Sequence, residues 1–246
     1  MVALLETRNL QKRFGGVVAT ADVDFSVDAG EMRGIIGPNG AGKTTLVNLI
    51  TGLYPPDAGD IRLQGASLLG LAPHEIAHKG LVRTFQVSRL FGNLSLLDNL
   101  LLPYLARPRD AAGGIAAGSK RAREFLELTN LTRLAEAPAK SLSGGQRALL
   151  QVVAGFMLPR LKCYVLDEPF AGINPVIKDT IIELIERENR TRGITFIIVS
   201  HEMAIMRRLC RKITVMIEGR SVAEGPLDAV AAMPEVVSAY LGKSFA

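Results

Sequence analysis

Residues Gly37-Pro38-Asn39-Gly40-Ala41-Gly42-Lys43-Thr44 fit the pattern G-x-x-x-x-G-K-[ST] without a mismatch. Gly37, Gly40 and Gly42 permit backbone angles and close approaches that a Cβ would block, so successive N–H groups can wrap a polyphosphate. A helix opening at Lys43 would add its positive end to the same phosphates. Lys43 supplies a point charge between the β- and γ-phosphates, the Thr44 hydroxyl can ligate Mg2+, and Thr45 adds a phosphate hydrogen bond. Such a loop needs a second metal carboxylate at the end of a neighbouring strand. Lys162-Cys-Tyr-Val-Leu-Asp167-Glu168-Pro169 supplies it. Asp167 is the candidate Mg2+ contact, and Glu168, one residue on, is placed to polarise an attacking water.

The elements around these residues read as an alternation. Residues 4–10, 21–27, 32–36, 61–64 and 81–85 are short apolar or alternating runs of β-formers. Helical spacing follows the glycine loop at 43–51 and recurs at 73–79. From 95 to 134 the pattern is helical with no strand between, interrupted by a Gly/Ala-rich break at 107–119. Strand and helix then alternate again through 164–166, 176–188, 195–199, 203–209 and 213–217. This predicts an α/β core with an inserted helical lobe, and no internal repeat. The carboxylates of 162–169 fall at the C-terminal edge of a buried parallel strand, where α/β folds place ligands.

Kinases, GTPases and motors share those two motifs. The discriminator is Leu142-Ser143-Gly144-Gly145-Gln146, ahead of a helix expected to run through Leu158. Ser-Gly-Gly at a helix N-terminus is itself an anion-binding device. One P-loop serves one nucleotide, so a second such helix start points to a nucleotide held by another chain. Here the sequence resembles the ATP-binding-cassette family over nearly its whole length. The resemblance implies a P-loop NTPase core of α/β class with a mixed sheet, an antiparallel β subdomain and an inserted helical lobe. It places one cassette domain over 1–246, with 1–90 and 160–246 as core and about 91–159 as lobe. It also implies ATP and Mg2+ as ligands and a head-to-tail dimer. Each ATP would lie between one chain's P-loop and the other's Ser143, Gly144, Gly145 and Gln146.

Further family positions follow residue by residue. Phe14 resembles the aromatic that stacks on adenine, and Gln86 the glutamine that reaches Mg2+ and water and links core to lobe. His201 resembles the switch histidine at the γ-phosphate. Asn174, in Ala171-Gly-Ile-Asn174-Pro175, stands where most cassettes carry aspartate, which puts details of cross-dimer communication in doubt. The stretch 147–155 lacks arginines that many relatives carry. The stretches 83–91, 96–100 and 171–175, and the ending 223–242, resemble the ATPases of importers for branched-chain and other hydrophobic amino acids. This implies an ATP-hydrolysing subunit on the cytoplasmic face of the membrane. Its partners would be integral membrane permeases, a second like or unlike ATPase chain and, indirectly, an extracytoplasmic binding protein. Val87, Leu90 and Phe91 are apolar where a wet loop would be polar, which suits docking to a permease or packing of the lobe.

Composition agrees. The chain has 246 residues, 48% hydrophobic and 22% charged, which excludes disordered and fibrous classes. No apolar run is long enough to span a membrane and no secretory signal is expected, so the reading is a cytosolic protein. The net charge of +5 is dispersed over short clusters, and nucleic acid is not expected as a partner. The rival reading is a soluble cassette ATPase working as a nucleic-acid-linked machine or regulatory clamp, against which stand the absence of a coiled-coil insertion and of a basic tail. A binding module without turnover is disfavoured by Glu168 and His201. Cys163 and Cys210 lack metal-ligand spacing and read as reduced structural thiols. His74 and His78, at i and i+4, have no third ligand nearby and read as a wet helix face.

Overall fold

A computed structural model describes residues 3–84, 90–105 and 114–241. In chain order the elements are β1 (Leu5–Phe14), β2 (Val17–Val27), β3 (Met32–Ile36), α1 (Lys43–Ile50), β4 (Ala58–Leu63), β5 (Ala66–Ser67), α2 (Pro73–His78) and β6 (Leu81–Arg83). Helices α3 (Leu96–Leu105), α4 (Gly114–Leu128) and α5 (Gly144–Phe156) follow. The chain then alternates through β7 (Cys163–Asp167), α6 (Pro175–Arg192), β8 (Thr195–Val199), α7 (Met203–Leu209), β9 (Lys212–Ile217), β10 (Arg220–Gly225), α8 (Leu227–Ala231) and α9 (Pro234–Leu241). Two compact units result: Met1–Arg83 with Lys162–Glu168 and Asn189–Ala246, and Thr84–Leu161 with Pro169–Glu188.

The first unit holds two sheets. One is antiparallel, in the order β2-β1-β4-β5. Along β2, Val23, Phe25 and Val27 are buried and alternate with exposed Asp24 and Ser26, the period-2 pattern of a sheet covered on one face. The other sheet runs β10-β9-β3-β8-β7-β6, parallel except where β10 returns antiparallel to β9. Its strands β7 and β8 are buried at every position, as interior parallel strands must be. Helix α1 lies in the core that both sheets share: Leu46, Val47, Leu49 and Ile50 are buried with Leu5, Val23 and Phe25 of one sheet and Ile35, Val165 and Ile197 of the other. The consecutive apolar residues Leu46, Val47, Leu49 and Ile50 point to different sides of the helix and need such a two-sided cover.

Several boundaries differ from the sequence expectation. β1 runs on to Phe14 and β2 starts at Val17, because the polar stretch Gln11–Arg13 pairs across the hairpin instead of ending the strand. β6 ends at Arg83, and Phe85 and Gln86 lie outside the described residues. The expected break at 107–119 is helical from Gly114, since Ala116 and Ala117 favour helix despite the glycines. β10, α8 and α9 were not expected.

In the second unit Phe125 and Phe156 stack at 5.8 Å, joining α4 to α5. Arg121 lies 5.0 Å over the Phe125 ring and pairs with Glu188 at 3.0 Å. Asn99 is buried on α3 and ties down the segment that leads into it. Its Oδ1 accepts the Phe91 amide at 2.8 Å, while its Nδ2 donates to the carbonyls of Phe91 at 3.1 Å and Ser95 at 2.9 Å. Phe91 itself is left 60% exposed. Asn99→Leu keeps the volume but orphans these groups, so we expect a loss of about 1–3 kcal/mol in denaturant unfolding. Faster hydrogen exchange at the Phe91 amide should accompany it, and unchanged exchange would show that Asn99 does not hold this segment.

Candidate functional site

The glycine loop leaves β3 and enters α1 through Gly42, whose φ of 95° is left-handed. A Cβ there would lie 2.3 Å from the Ala19 carbonyl oxygen of β2, and one at Gly37 would lie 2.1 Å from the Met216 carbonyl oxygen of β9. Both positions therefore require glycine. The Gly219 amide, in the β9–β10 turn, donates to the Ala41 carbonyl at 3.0 Å and anchors the loop further. Asn39, Gly40 and Thr44 are exposed, Thr45 is half-buried, and Pro38 and Ala41 are buried. Lys43 is buried, and its Nζ donates to the carbonyls of Gly37 at 2.6 Å and Pro38 at 3.0 Å.

Strand β7 delivers the two carboxylates. Asp167 is buried at its last position, and burial raises its pKa against the pull of Arg83 and Lys43. Glu168 follows with φ 50°, a left-handed angle at a non-glycine residue of the kind that collects at functional sites. Its amide donates to the Val199 carbonyl at 2.9 Å, which ties the turn to β8. Burial raises the Glu168 pKa too, opposed by His201, whose Nε2 lies 3.4 Å from Glu168 Oε1. Burial lowers the Lys43 pKa, opposed by Glu168 and Asp167. Lys43, Asp167, Glu168 and His201 thus form one electrostatic cluster at the C-terminal edge of the parallel strands. Phe14 ends β1 and is 44% exposed. Gln86 lies outside the described residues.

The stretch Ser143–Gln146 belongs to the second unit. Ser143 is the N-cap of α5: its hydroxyl accepts the Gln146 amide at 3.3 Å, and Gln146 Oε1 accepts the Ser143 amide at 3.0 Å, a complete capping box. Ser143 and Gly144 are exposed, and Gly145 and Gln146 half-buried. The first-turn amides of Gly144 and Gly145 lie at the positive end of the helix. A Cβ at Gly145 would meet Ile177 Cδ1 at 2.7 Å. Asn174 caps the next helix, its Oδ1 accepting the Ile177 amide at 3.0 Å. In the stretch 147–155, Leu149, Leu150, Val152 and Val153 are buried, so this face of α5 packs inward.

Two residues at the site were not assigned a role from the sequence. Arg83 closes β6, donates to Asp167 Oδ2 at 3.0 Å and contacts Asn48 Oδ1 of α1. Its signal was a charged residue at the end of a short apolar strand. Tyr240, on α9, places its buried hydroxyl against the Gly37 amide, and burial raises its pKa. Among the described residues no group of three or more His, Cys, Asp or Glu could hold a metal ion. His74 and His78 are exposed, and both cysteines are buried free thiols. No helix among the described residues is long and apolar enough to cross a membrane.

Comparison with known proteins places this geometry in context. Residues 20–171 match a family model described as ABC transporter. The chain is 37% identical over 255 aligned positions to the high-affinity branched-chain amino acid transport ATP-binding protein BraF of Pseudomonas aeruginosa, covering 98% of each. It is 36% identical to the probable branched-chain amino acid transport ATP-binding protein LivG of Archaeoglobus fulgidus, covering 97% of this chain and 95% of the relative. A solved ATP-binding cassette of an ABC transporter in its ADP conformation matches with a TM-score of 0.86 at 32% identity, over 98% of this chain and all of that one. A dimeric ATP-binding cassette in a post-hydrolysis state, bound to ADP and Pi, matches with a TM-score of 0.80 at 26% identity, over 91% and 98%.

The Arg83–Asp167 pair has side chains only 8% and 1% exposed. Removing one partner leaves the other charge buried, so Arg83→Met should cost about 3–5 kcal/mol. Adding Asp167→Asn removes the uncompensated carboxylate and should recover part of that loss. Thermal unfolding of the parent and the two variants checks this. A single variant as stable as the parent would mean that the pair carries no such charge burden.

Proposed function

The chain belongs to the ABC transporter family, and from that premise we propose that it is the ATP-hydrolysing subunit of an importer for branched-chain amino acids. The observation that carries the substrate class is the end-to-end likeness to BraF at 37% identity. We read the whole chain as one cassette domain, with 1–90 and 160–246 as its core and about 91–159 as its inserted lobe. On this reading two chains pair head to tail and dock on membrane permeases at the cytoplasmic face; pairing as such is supported by the dimeric state of the solved cassette above.

The site supports that chemistry from its own residues. Lys43 would exchange the Gly37 and Pro38 carbonyls for phosphate oxygens, and the amides of the glycine loop would complete the cradle. Thr44 and Asp167 offer the hydroxyl and carboxylate oxygens that Mg2+ prefers, so the donor set fits that ion. When bound, Mg2+ would offset charge on the β- and γ-phosphate oxygens. Glu168, whose raised pKa and fixed turn suit a base, would orient water and accept its proton. His201, beside Glu168, would face the γ-phosphate. Phe14, exposed at the end of β1, would stack on adenine, and Ser143, Gly144, Gly145 and Gln146 would bind the nucleotide of the partner chain.

Glu168→Gln should still bind ATP but hydrolyse it about 100-fold more slowly, equivalent to about 2.7 kcal/mol of barrier. Hydrolysis at the parental rate would remove Glu168 from its assigned role. Sharing of the site is tested with Lys43→Ala and Ser143→Arg chains. Each alone should be impaired, and where like chains pair, their mixture retains at most one intact site per dimer. Full activity of both variants on their own refutes a shared site. Uptake of leucine into vesicles holding the chain with its permeases tests the substrate class, and uptake indifferent to branched-chain amino acids would overturn it.

A further inference from the structure

We propose that Tyr54 and Asp57 are positioning residues for the nucleobase, holding the Phe14 ring and the end of β1 so that a base can stack there without first ordering them. The inference rests on the reading that Phe14 contacts the base, and it extends the site to a loop to which no motif assigned a role.

The geometry is built from both sides of the ring's backbone. Phe14 is the last residue of β1, paired with Val17 across the hairpin. That hairpin reaches the phosphate loop, since the Ala19 carbonyl two residues on packs against Gly42. An exposed aromatic at a strand end would ordinarily sample several rotamers, and ordering it on binding weakens affinity. Here the Tyr54 ring meets Phe14 edge-on, with centroids 5.3 Å apart and planes at 73°. Such T-shaped pairs are favourable beyond the area they bury. The Lys12 ammonium lies 5.7 Å from the Phe14 centroid, within reach of a cation–π contact.

Asp57 then fixes the strand itself. Its carboxylate accepts Lys12 Nζ and the Arg13 amide, each at 2.7 Å, and its own amide donates to the Gln11 carbonyl at 2.9 Å. Three consecutive residues before Phe14 are therefore held by one residue of the loop. The Lys12 hydrogen bond and the Arg13 amide hold the Asp57 carboxyl below its ordinary range, so the clamp is charged at neutral pH. Between Tyr54 and Asp57 stand Pro55 and Pro56, whose fixed φ angles leave little freedom in the spacing of ring and carboxylate. The loop hangs from α1, with the amides of Leu53 and Tyr54 donating to the Asn48 carbonyl at 2.8 and 3.3 Å. One eight-residue helix thus carries the phosphate-binding lysine at its start and the aromatic support beyond its end.

The test compares ADP with inorganic diphosphate, which lacks base and sugar, by calorimetry on the purified full chain with Mg2+. Tyr54→Leu keeps an apolar side chain at a partly exposed position and should weaken ADP about 3- to 10-fold while leaving diphosphate unchanged. Tyr54→Phe should bind ADP as the parent does, and Asp57→Ala should weaken ADP selectively as Tyr54→Leu does. Equal weakening of both ligands would mean a merely structural loop and overturns the proposal. Phe14→Leu is measured alongside. If it weakens ADP selectively while Tyr54→Leu and Asp57→Ala do not, the positioning role falls and the stacking role stands. If Phe14→Leu leaves ADP affinity unchanged, the stacking role falls and the proposal with it.

Discussion

Lys43 opens a helix whose later residues, Leu46 to Ile50, are all buried, and its ammonium is buried with them. A lone cation there would be driven to shed its proton, which is the direction burial pushes this group. What keeps the position tolerable is the pair of carboxylates brought to the same sheet edge, Asp167 at the end of β7 and Glu168 just after it; Arg83, from β6, pairs with Asp167 and adds a second cation. Two cations and two carboxylates leave the cluster close to neutral, with the loop carbonyls of Gly37 and Pro38 taking up the ammonium hydrogens. Burial raises both carboxylate pKa values even so. The cluster is electrostatically tense, and a polyphosphate with its counter-ion would add charges of both signs where they are least screened.

The same edge carries the unusual backbone. Gly42 enters α1 through a left-handed angle with no room for a Cβ, and Glu168 leaves β7 through a left-handed angle although it has a side chain. The first is resolved by residue choice. The second is retained at a modest cost, and it is stabilised by the hydrogen bond from the Glu168 amide to Val199. The turn at Glu168 sets a carboxylate beside His201 instead of letting it continue the alternation of the strand.

The parts legible in the sequence are those whose chemistry is local. The run 37–44, the pair Asp167–Glu168 and the stretch 142–146 each confine their meaning to a few consecutive residues, and the strands and helices that carry them have clear periods. What escaped is what the fold assembles over long separations. Arg83 lies 84 positions from Asp167, which the pairing of β6 with β7 makes its neighbour, and 35 from Asn48 of α1. Tyr240 meets Gly37 from the far end of the chain. β10 escaped for another reason: Arg220–Gly225 is a short edge strand of mixed polarity, with Glu224 reaching back to Arg33 at 2.6 Å. An edge strand buries too little to display a period. At Gly114–Ser119 the glycine content suggested a break, yet alanine propensity and the packing of the rest of α4 prevailed.

Asn174 illustrates how a departure from a family pattern can be weighed by geometry. Aspartate and asparagine are equivalent N-caps in what they accept from a helix's first turn, and Asn174 Oδ1 takes the Ile177 amide at 3.0 Å as a carboxylate would. Ile177 in turn packs so closely on Gly145 that a Cβ there would clash. The start of α6 and the capped start of α5 are therefore fitted to one another within the second unit, and the substitution leaves that fit untouched. What it removes is a negative charge at the positive end of α6, a favourable dipole interaction of a few tenths to about 1 kcal/mol at an exposed site. The difference from the usual aspartate is thus a difference of charge at constant backbone geometry. Its consequence belongs to whatever charged group approaches Asn174, and not to the shape of the loop that carries it.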